Sequence, residues 1–202
     1  VSQSGIIQSA DRATLTKAVV VGTSAGAVDA LLRILPSLPE SFLPPIVIVV
    51  HLPADRKSVM VDLFQARCRI AVREVEDKEP LESGTVYFAP PDYHVLVEAD
   101  GRLSLSSEEA VHYSRPSIDV LFESAADVFC PGLVGVVLTG ANMDGAAGLR
   151  AIQRGGGMVV VQRPDTAYAS NMPQAALDAC PGALSLSLDQ IAEYLCQLTM
   201  VR

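Results

Sequence analysis

Apolar residues along the chain fall into two kinds of run. Residues 18–22 and 46–50 are short, rich in β-branched side chains and free of polar alternation, the pattern of strands covered on both faces. Residues 134–139 and 158–162 repeat it late in the chain. Helical spacing fills the intervals. In 27–35 apolar residues recur at 28, 31, 32 and 35, and Pro36 ends the run. Residues 144–154 carry Ala147, Leu149 and Ile152 and stop in Gly155-Gly156-Gly157. Ser117 stands where it can cap a helix over 118–128, on which Val120, Leu121, Ala125 and Val128 share a face. Ser187 and Gln190 have the spacing of a capping box ahead of a last amphipathic helix over 188–198. Strands alternating with crossovers of ~10 or more residues define an α/β fold: a doubly wound, mostly parallel sheet flanked by helices.

The middle of the chain breaks this rhythm. Residues 85–89, 94–98 and 102–106 are short β-like runs joined by Pro90-Pro91-Asp92 and Ala99-Asp100-Gly101, which predicts an antiparallel hairpin or meander at one edge of the sheet. Residues 1–16 are polar and aperiodic and read as a flexible tail or linker, leaving 17–202 as one domain with a single sizeable core.

Composition narrows the class. Half of the 202 residues are hydrophobic and 19% are charged, so the chain folds. A net charge of −8 disfavours a non-specific nucleic-acid partner or an anionic membrane surface. No apolar run reaches the ~18 residues needed to span a bilayer, so no direct membrane insertion is expected. Four widely spaced cysteines without a C-x-x-C pair, and three histidines, argue against a zinc site and for idle thiols in a reducing, cytoplasmic setting.

The first buried run leads into Gly22-Thr23-Ser24-Ala25-Gly26, a G-x-S-x-G string. Small residues around the serine permit a sharp strand-to-helix turn that exposes the hydroxyl, and the helix start behind it offers free N–H groups to a developing anion. The same turn also suits close packing or a phosphate, although no G-x-G-x-x-G fingerprint or Walker lysine accompanies it. His51 ends the second buried run; Asp144 follows the third. In a parallel sheet the C-terminal strand ends converge on one crevice, so a nucleophile (Ser24), a base (His51) and an orienting carboxylate (Asp144) are expected to meet there. Taken singly, His51 also fits a polar gap at a strand end, and Asp144 an N-cap of the helix that begins beside it. The chain order Ser, His, Asp differs from the Ser, Asp/Glu, His order of α/β-hydrolases carrying this elbow.

Several further strings follow one another along the chain. They are Val50-His51-Leu52-Pro53-Ala54, Gly84-Thr85-Val86-Tyr87-Phe88-Ala89-Pro90 with Asp92 and His94, the stretch from Arg115 to Phe122, Leu138-Thr139-Gly140 with Asp144-Gly145-Ala146-Ala147-Gly148, and Met172-Pro173. With the elbow, they resemble the catalytic domain of the chemotaxis receptor methylesterase family, CheB, over about residues 18 to 198. The resemblance implies hydrolysis of glutamate methyl esters on chemoreceptor cytoplasmic helices, with glutamine deamidation beside it, by a Ser24-His51-Asp144 triad that needs no metal or organic cofactor. It implies an oxyanion hole from the backbone at Ala25 and Ala141. Its implied partners are a methylated chemoreceptor cytoplasmic domain and a receiver domain in cis or in trans, for which sixteen leading residues leave no room. Arg115 and Met172 are weaker substrate-binding candidates: Arg115 could instead serve a structural ion pair, and Met172-Pro173 shapes a loop near the site. His94 and His112 could line the receptor groove, but single polar histidines on loops are more often merely solvated, and they are read so. Two departures stand out: Ala25 and Ala27 where the family has Thr and Gly, and Ala141 where it commonly has Met. The rival readings are a catalytically silent interaction domain and a phosphate- or nucleotide-binding module.

Overall fold

The computed structural model describes residues 16–51, 59–111 and 113–198. Seven parallel strands form the main sheet: β1 (Ala18–Thr23), β2 (Ile46–Val50), β3 (Ala71–Glu74), β4 (Thr85–Phe88), β7 (Leu133–Val137), β8 (Met158–Gln162) and β9 (Leu184–Leu186). Their order is β3-β4-β2-β1-β7-β8-β9. A separate antiparallel pair, β5 (His94–Val97) and β6 (Leu103–Ser106), makes a second sheet. The described residues also form six α-helices, α1 (Ala27–Ile34), α2 (Met60–Gln65), α3 (Ile118–Phe129), α4 (Ala146–Arg154), α5 (Asn171–Ala179) and α6 (Leu188–Cys196), and two short 3-10 turns, Leu35–Ser37 and Pro164–Thr166.

The pleat explains why the apolar runs lack alternation. Along β1 and β2, Val19, Val21, Ile46, Ile48 and Val50 face a core closed by α1, α2 and α6. Ala18, Val20, Val47 and Val49 face the opposite core, closed by α3, α4 and α5. Both faces are buried, so every position must be apolar, and each large side chain so placed contributes ~1.5–3 kcal/mol. Since β2 lies on one side of β1 and β7 on the other, with α1 and α4 on opposite faces, the chain reverses direction around β1. Such a switch point leaves a crevice at the C-terminal strand ends.

The expected meander is corrected in one strand. Residues 85–88 do not join an edge meander; β4 lies inside the parallel sheet between β3 and β2, with all four residues buried. Pro90 and Pro91 have no N–H to offer a ladder, so the chain leaves the sheet there and only the β5–β6 hairpin folds back, packing Val95, Val97 and Leu103 into the α3 side of the core. The edge strands β3 and β9 gave no apolar signal because most of their residues are exposed. Of the expected tail, residues 1–15 lie outside the described residues and Thr16 is already buried. No described helix is long and apolar enough to cross a membrane. Burial pushes the thiols of Cys130 and Cys180 upward and that of Cys68 to about 11, so these three stay protonated at neutral pH.

Candidate active site

Two strand-to-helix turns build the site, and both place a left-handed glycine at the helix N-cap. In the β1–α1 turn it is Gly26, φ 82°, whose missing Cβ would lie 2.6 Å from the Cβ of Tyr168. In the β7–α4 turn it is Gly145, φ 95°, whose Cβ would lie 2.7 Å from Ile118 Cγ2. An L side chain is disfavoured at either backbone conformation, and the neighbours leave no room for one.

Ser24 sits at the sharp end of β1. Its N–H donates to the Thr139 carbonyl (2.9 Å), which also accepts from the Thr23 hydroxyl (2.9 Å). Thr139 Oγ1 donates in return to the Ala25 carbonyl (2.8 Å) and accepts from the Ala169 N–H (2.9 Å). Below it, the Thr139 N–H donates to Gln162 Oε1 (2.9 Å), and Gln162 Nε2 donates to the Thr166 carbonyl (3.1 Å). These polar groups tie three loops together, and among the described residues no buried side-chain nitrogen or oxygen lacks a hydrogen-bond partner. Among the described residues the Ser24 hydroxyl has no hydrogen-bond partner and is free to turn.

His51 follows β2, and its N–H donates to the Thr23 carbonyl (3.2 Å). Thr23 pairs with Val50 in the parallel register, so Ser24 and His51 are the residues that follow the C-terminal ends of two neighbouring strands. The imidazole Nε2 lies 2.8 Å from Asp144 Oδ2. Asp144 is wholly buried, while the His51 side chain retains 12% exposure.

Asp144 does not cap the helix beside it, as its position in sequence suggested; Gly145 is that N-cap. Its carboxylate instead receives the start of α3: the Ser117 hydroxyl on Oδ1 (2.9 Å), the Ile118 N–H on Oδ2 (2.7 Å) and the Asp119 N–H on Oδ1 (3.0 Å). Ser117, expected to cap α3 with its own side chain, donates that hydroxyl to Asp144, which supplies the acceptor in its place. Burial alone would raise the carboxyl pKa, but the His51 hydrogen bond and the Ile118 and Asp119 N–H groups outweigh it and hold the group below the ordinary aspartate value. Asp144 is therefore a fixed anion at neutral pH. An acceptor-only carboxylate requires a proton on His51 Nε2, which leaves Nδ1 as the basic nitrogen.

The backbone N–H groups of Ala25 and Ala141, expected as oxyanion donors, meet no protein acceptor among the described residues. The Ala141 loop is held from outside: Asn171 Nδ2 donates to the Ala141 carbonyl (3.2 Å), and Met172 N–H to the Gly140 carbonyl (2.9 Å). Met172 itself is buried, its side chain filling the space a Gly140 Cβ would occupy.

Arg115 is committed elsewhere, as the ion pair weighed from the sequence. Its guanidinium grips Asp92 through Nε (2.9 Å) and Nη2 (2.6 Å), and Nη1 donates to the Ser107 and Glu108 carbonyls (both 3.0 Å). His94 is not solvated but buried: Nδ1 accepts from the Ser117 N–H (3.1 Å) and Nε2 bonds the Glu109 carbonyl (3.1 Å). Together these two side chains brace the approach to α3, whose first turn holds Asp144. His112, Leu52 and Pro53 lie outside the described residues.

Sequence reasoning missed Asn142, Thr139 and Gln162. Gln162 carried a usable signal, since a polar residue closing a buried apolar strand is the same sign that picked out His51. Thr139 had none, because its partners are remote in sequence; Asn142 carried a signal for its turn, since an Asn two residues ahead can accept the Asp144 N–H, but none for its contact with His51. No cluster of three or more His, Cys, Asp or Glu able to hold a metal occurs among the described residues.

A parallel α/β sheet with a hydroxyl, an imidazole and a buried carboxylate gathered at its switch point defines a hydrolase-like architecture. Residues 19–195 match the family model described as CheB methylesterase. A candidate protein-glutamate methylesterase/protein-glutamine glutaminase of Leptospira interrogans is 48% identical over 182 residues, 90% of this chain and 94% of that protein. The protein-glutamate methylesterase/protein-glutamine glutaminase of Symbiobacterium thermophilum is 34% identical over 87% of this chain, which spans 48% of that longer protein. The crystal structure of the Thermotoga maritima CheB methylesterase catalytic domain superimposes with a TM-score of 0.86 at 30% identity, covering 91% of this chain and 98% of that one. This chain belongs to the CheB methylesterase family.

Proposed function

We propose that this chain hydrolyses glutamate methyl esters on the cytoplasmic helices of chemoreceptors, and deamidates receptor glutamines at the same site, as a cytoplasmic serine hydrolase. The names of its relatives support the substrate class. The 2.8 Å bond between His51 Nε2 and Asp144, at the strand end beside Ser24, is the observation that carries the reading.

In this mechanism Ser24 Oγ attacks the ester carbonyl carbon as His51 Nδ1 takes the hydroxyl proton. The Asp144 carboxylate, already ionised, stabilises the imidazolium and keeps its ring oriented. The Ala25 and Ala141 N–H groups receive the tetrahedral oxyanion; a donor of this kind is worth ~10²–10³ in rate. Collapse breaks the carbon–oxygen bond to the methoxy group, which leaves as methanol with the proton from Nδ1. Water, deprotonated by the same nitrogen, then attacks the acyl-enzyme and releases the glutamate carboxylate and the free Ser24 hydroxyl. With a glutamine side chain the leaving group is ammonia. A receiver domain acting in cis or in trans supplies regulation.

The test is methanol release from a methylated receptor fragment, run beside labelling by a serine-directed fluorophosphonate. Labelling at Ser24 that disappears in Ser24→Ala and His51→Ala, together with methanol release by the unaltered protein, supports the reading. Absence of both reactions overturns it in favour of a silent interaction domain.

A further inference from the structure

We propose that Asn142 is a positioning residue that sets the tautomer and ring orientation of His51; this rests on the assignment of Ser24 and His51 as nucleophile and base. Asn142 Nδ2 lies 3.3 Å from His51 Nδ1, and Asn142 Oδ1 accepts the Asp144 N–H at 3.2 Å. The side chain therefore bridges the two groups whose alignment the reaction needs, from the backbone of one to the ring of the other.

The orientation of the amide follows from its partners. The Asp144 N–H is only a donor, so the oxygen of Asn142 must face it and the NH2 must face the ring. The NH2 is only a donor in turn, so Nδ1 must carry a lone pair. Asp144 imposes the complementary condition at the other nitrogen, where an anionic acceptor demands Nε2–H. Both ends of the ring thus select one tautomer. A ring turned by half a rotation would present carbon to both partners and lose both bonds. Asp144 alone leaves the ring free to swing about its single contact; the second contact removes that freedom. At 3.3 Å the Asn142 bond is long for an N–H···N contact, weak enough for the Ser24 hydroxyl to take over the lone pair when substrate settles in the crevice.

Two substitutions separate a role toward the ring from a role in holding the loop. Asn142→Asp keeps an oxygen for the Asp144 N–H but puts an acceptor opposite Nδ1, rewarding a proton there. Asn142→Ala removes both contacts. The readouts are the rate of fluorophosphonate labelling of Ser24 at neutral pH and the ¹⁵N imidazole signals of His51, with melting curves to verify folding. The proposal expects Asn142→Asp to label at least tenfold more slowly than the unaltered protein and more slowly than Asn142→Ala, with the His51 Nδ1 signal moved to its protonated position. It is overturned if Asn142→Asp labels like the unaltered protein while Asn142→Ala is slow, the pattern of a loop brace, or if neither variant changes the rate and the ring signals. Failure of the unaltered protein to label at Ser24 would instead defeat the catalytic assignment, and the ¹⁵N signals would still report whether Asn142 sets the tautomer.

Discussion

The β1–α1 and β7–α4 turns are built alike and used in opposite ways. Each leaves a buried parallel strand, each begins its helix at a left-handed glycine, and each carries a polar residue one or two positions ahead of that glycine, Asp144 before Gly145 and Ser24 before Gly26. Around Asp144 every oxygen is engaged, by His51, Ser117 and the first N–H groups of α3. Around Ser24 the backbone is fastened to Thr139, while among the described residues the hydroxyl is unbonded and the next N–H has no acceptor. The difference separates two requirements. A group that must remain charged in the interior needs a complete set of donors, supplied once by folding. A group that must change partners during reaction needs a rigid base and an unoccupied end.

Substituting the polar residue in each turn tests that contrast most severely. Ser24→Ala should abolish methanol release while leaving unfolding free energy within about 1 kcal/mol, since its hydroxyl holds nothing in place. Asp144→Ala should also lose activity, by ~10⁴ or more. Unlike the serine variant, it should cost more than about 3 kcal/mol in denaturant melts, because it strands buried donors. Equal stability losses in the two variants would erase the distinction between the turns.

Acid should act on one turn alone. The Asp144 pKa is depressed in the folded protein, so the unfolded chain binds that proton more readily. Its stabilising contribution is fully present above the ordinary aspartate value and is lost as pH falls through the lower folded value. Stability measured against pH should show this acid-side decline, and Asp144→Asn should flatten it.

Smaller changes sharpen the comparison. Gly145→Ala should cost ~1–3 kcal/mol, because it strains a positive-φ residue and drives a methyl group into Ile118, on the turn that grips Asp144. Ser117→Ala should remove about 1 kcal/mol, the worth of a single hydrogen bond, with a modest loss of methanol release.

Much of the fold was legible because its strongest signals are local. The apolar runs of β1, β2, β7 and β8 record burial on both faces, and the Ser187–Gln190 capping box is present as its spacing required. Misreadings arose where a segment's neighbours, rather than its own pattern, decide its place. Residues 85–88 look the same as one arm of a meander or as a buried parallel strand until β3 is found beside them. His94 looks like a loop histidine until the Ser117 N–H and the Glu109 carbonyl are seen to enclose its ring.

At the site, sequence alone determined which chemistry-bearing residues stand at strand ends, because strand periodicity and small-residue turns are properties of contiguous residues. Tertiary structure decided what each of them touches. It assigned Asp144 to the start of α3 instead of its own helix, committed Arg115 to Asp92, and placed Asn142 against the imidazole. Those outcomes depend on hydrogen bonds between segments tens of residues apart, and a donor's direction in space is not encoded in the spacing of its own neighbours.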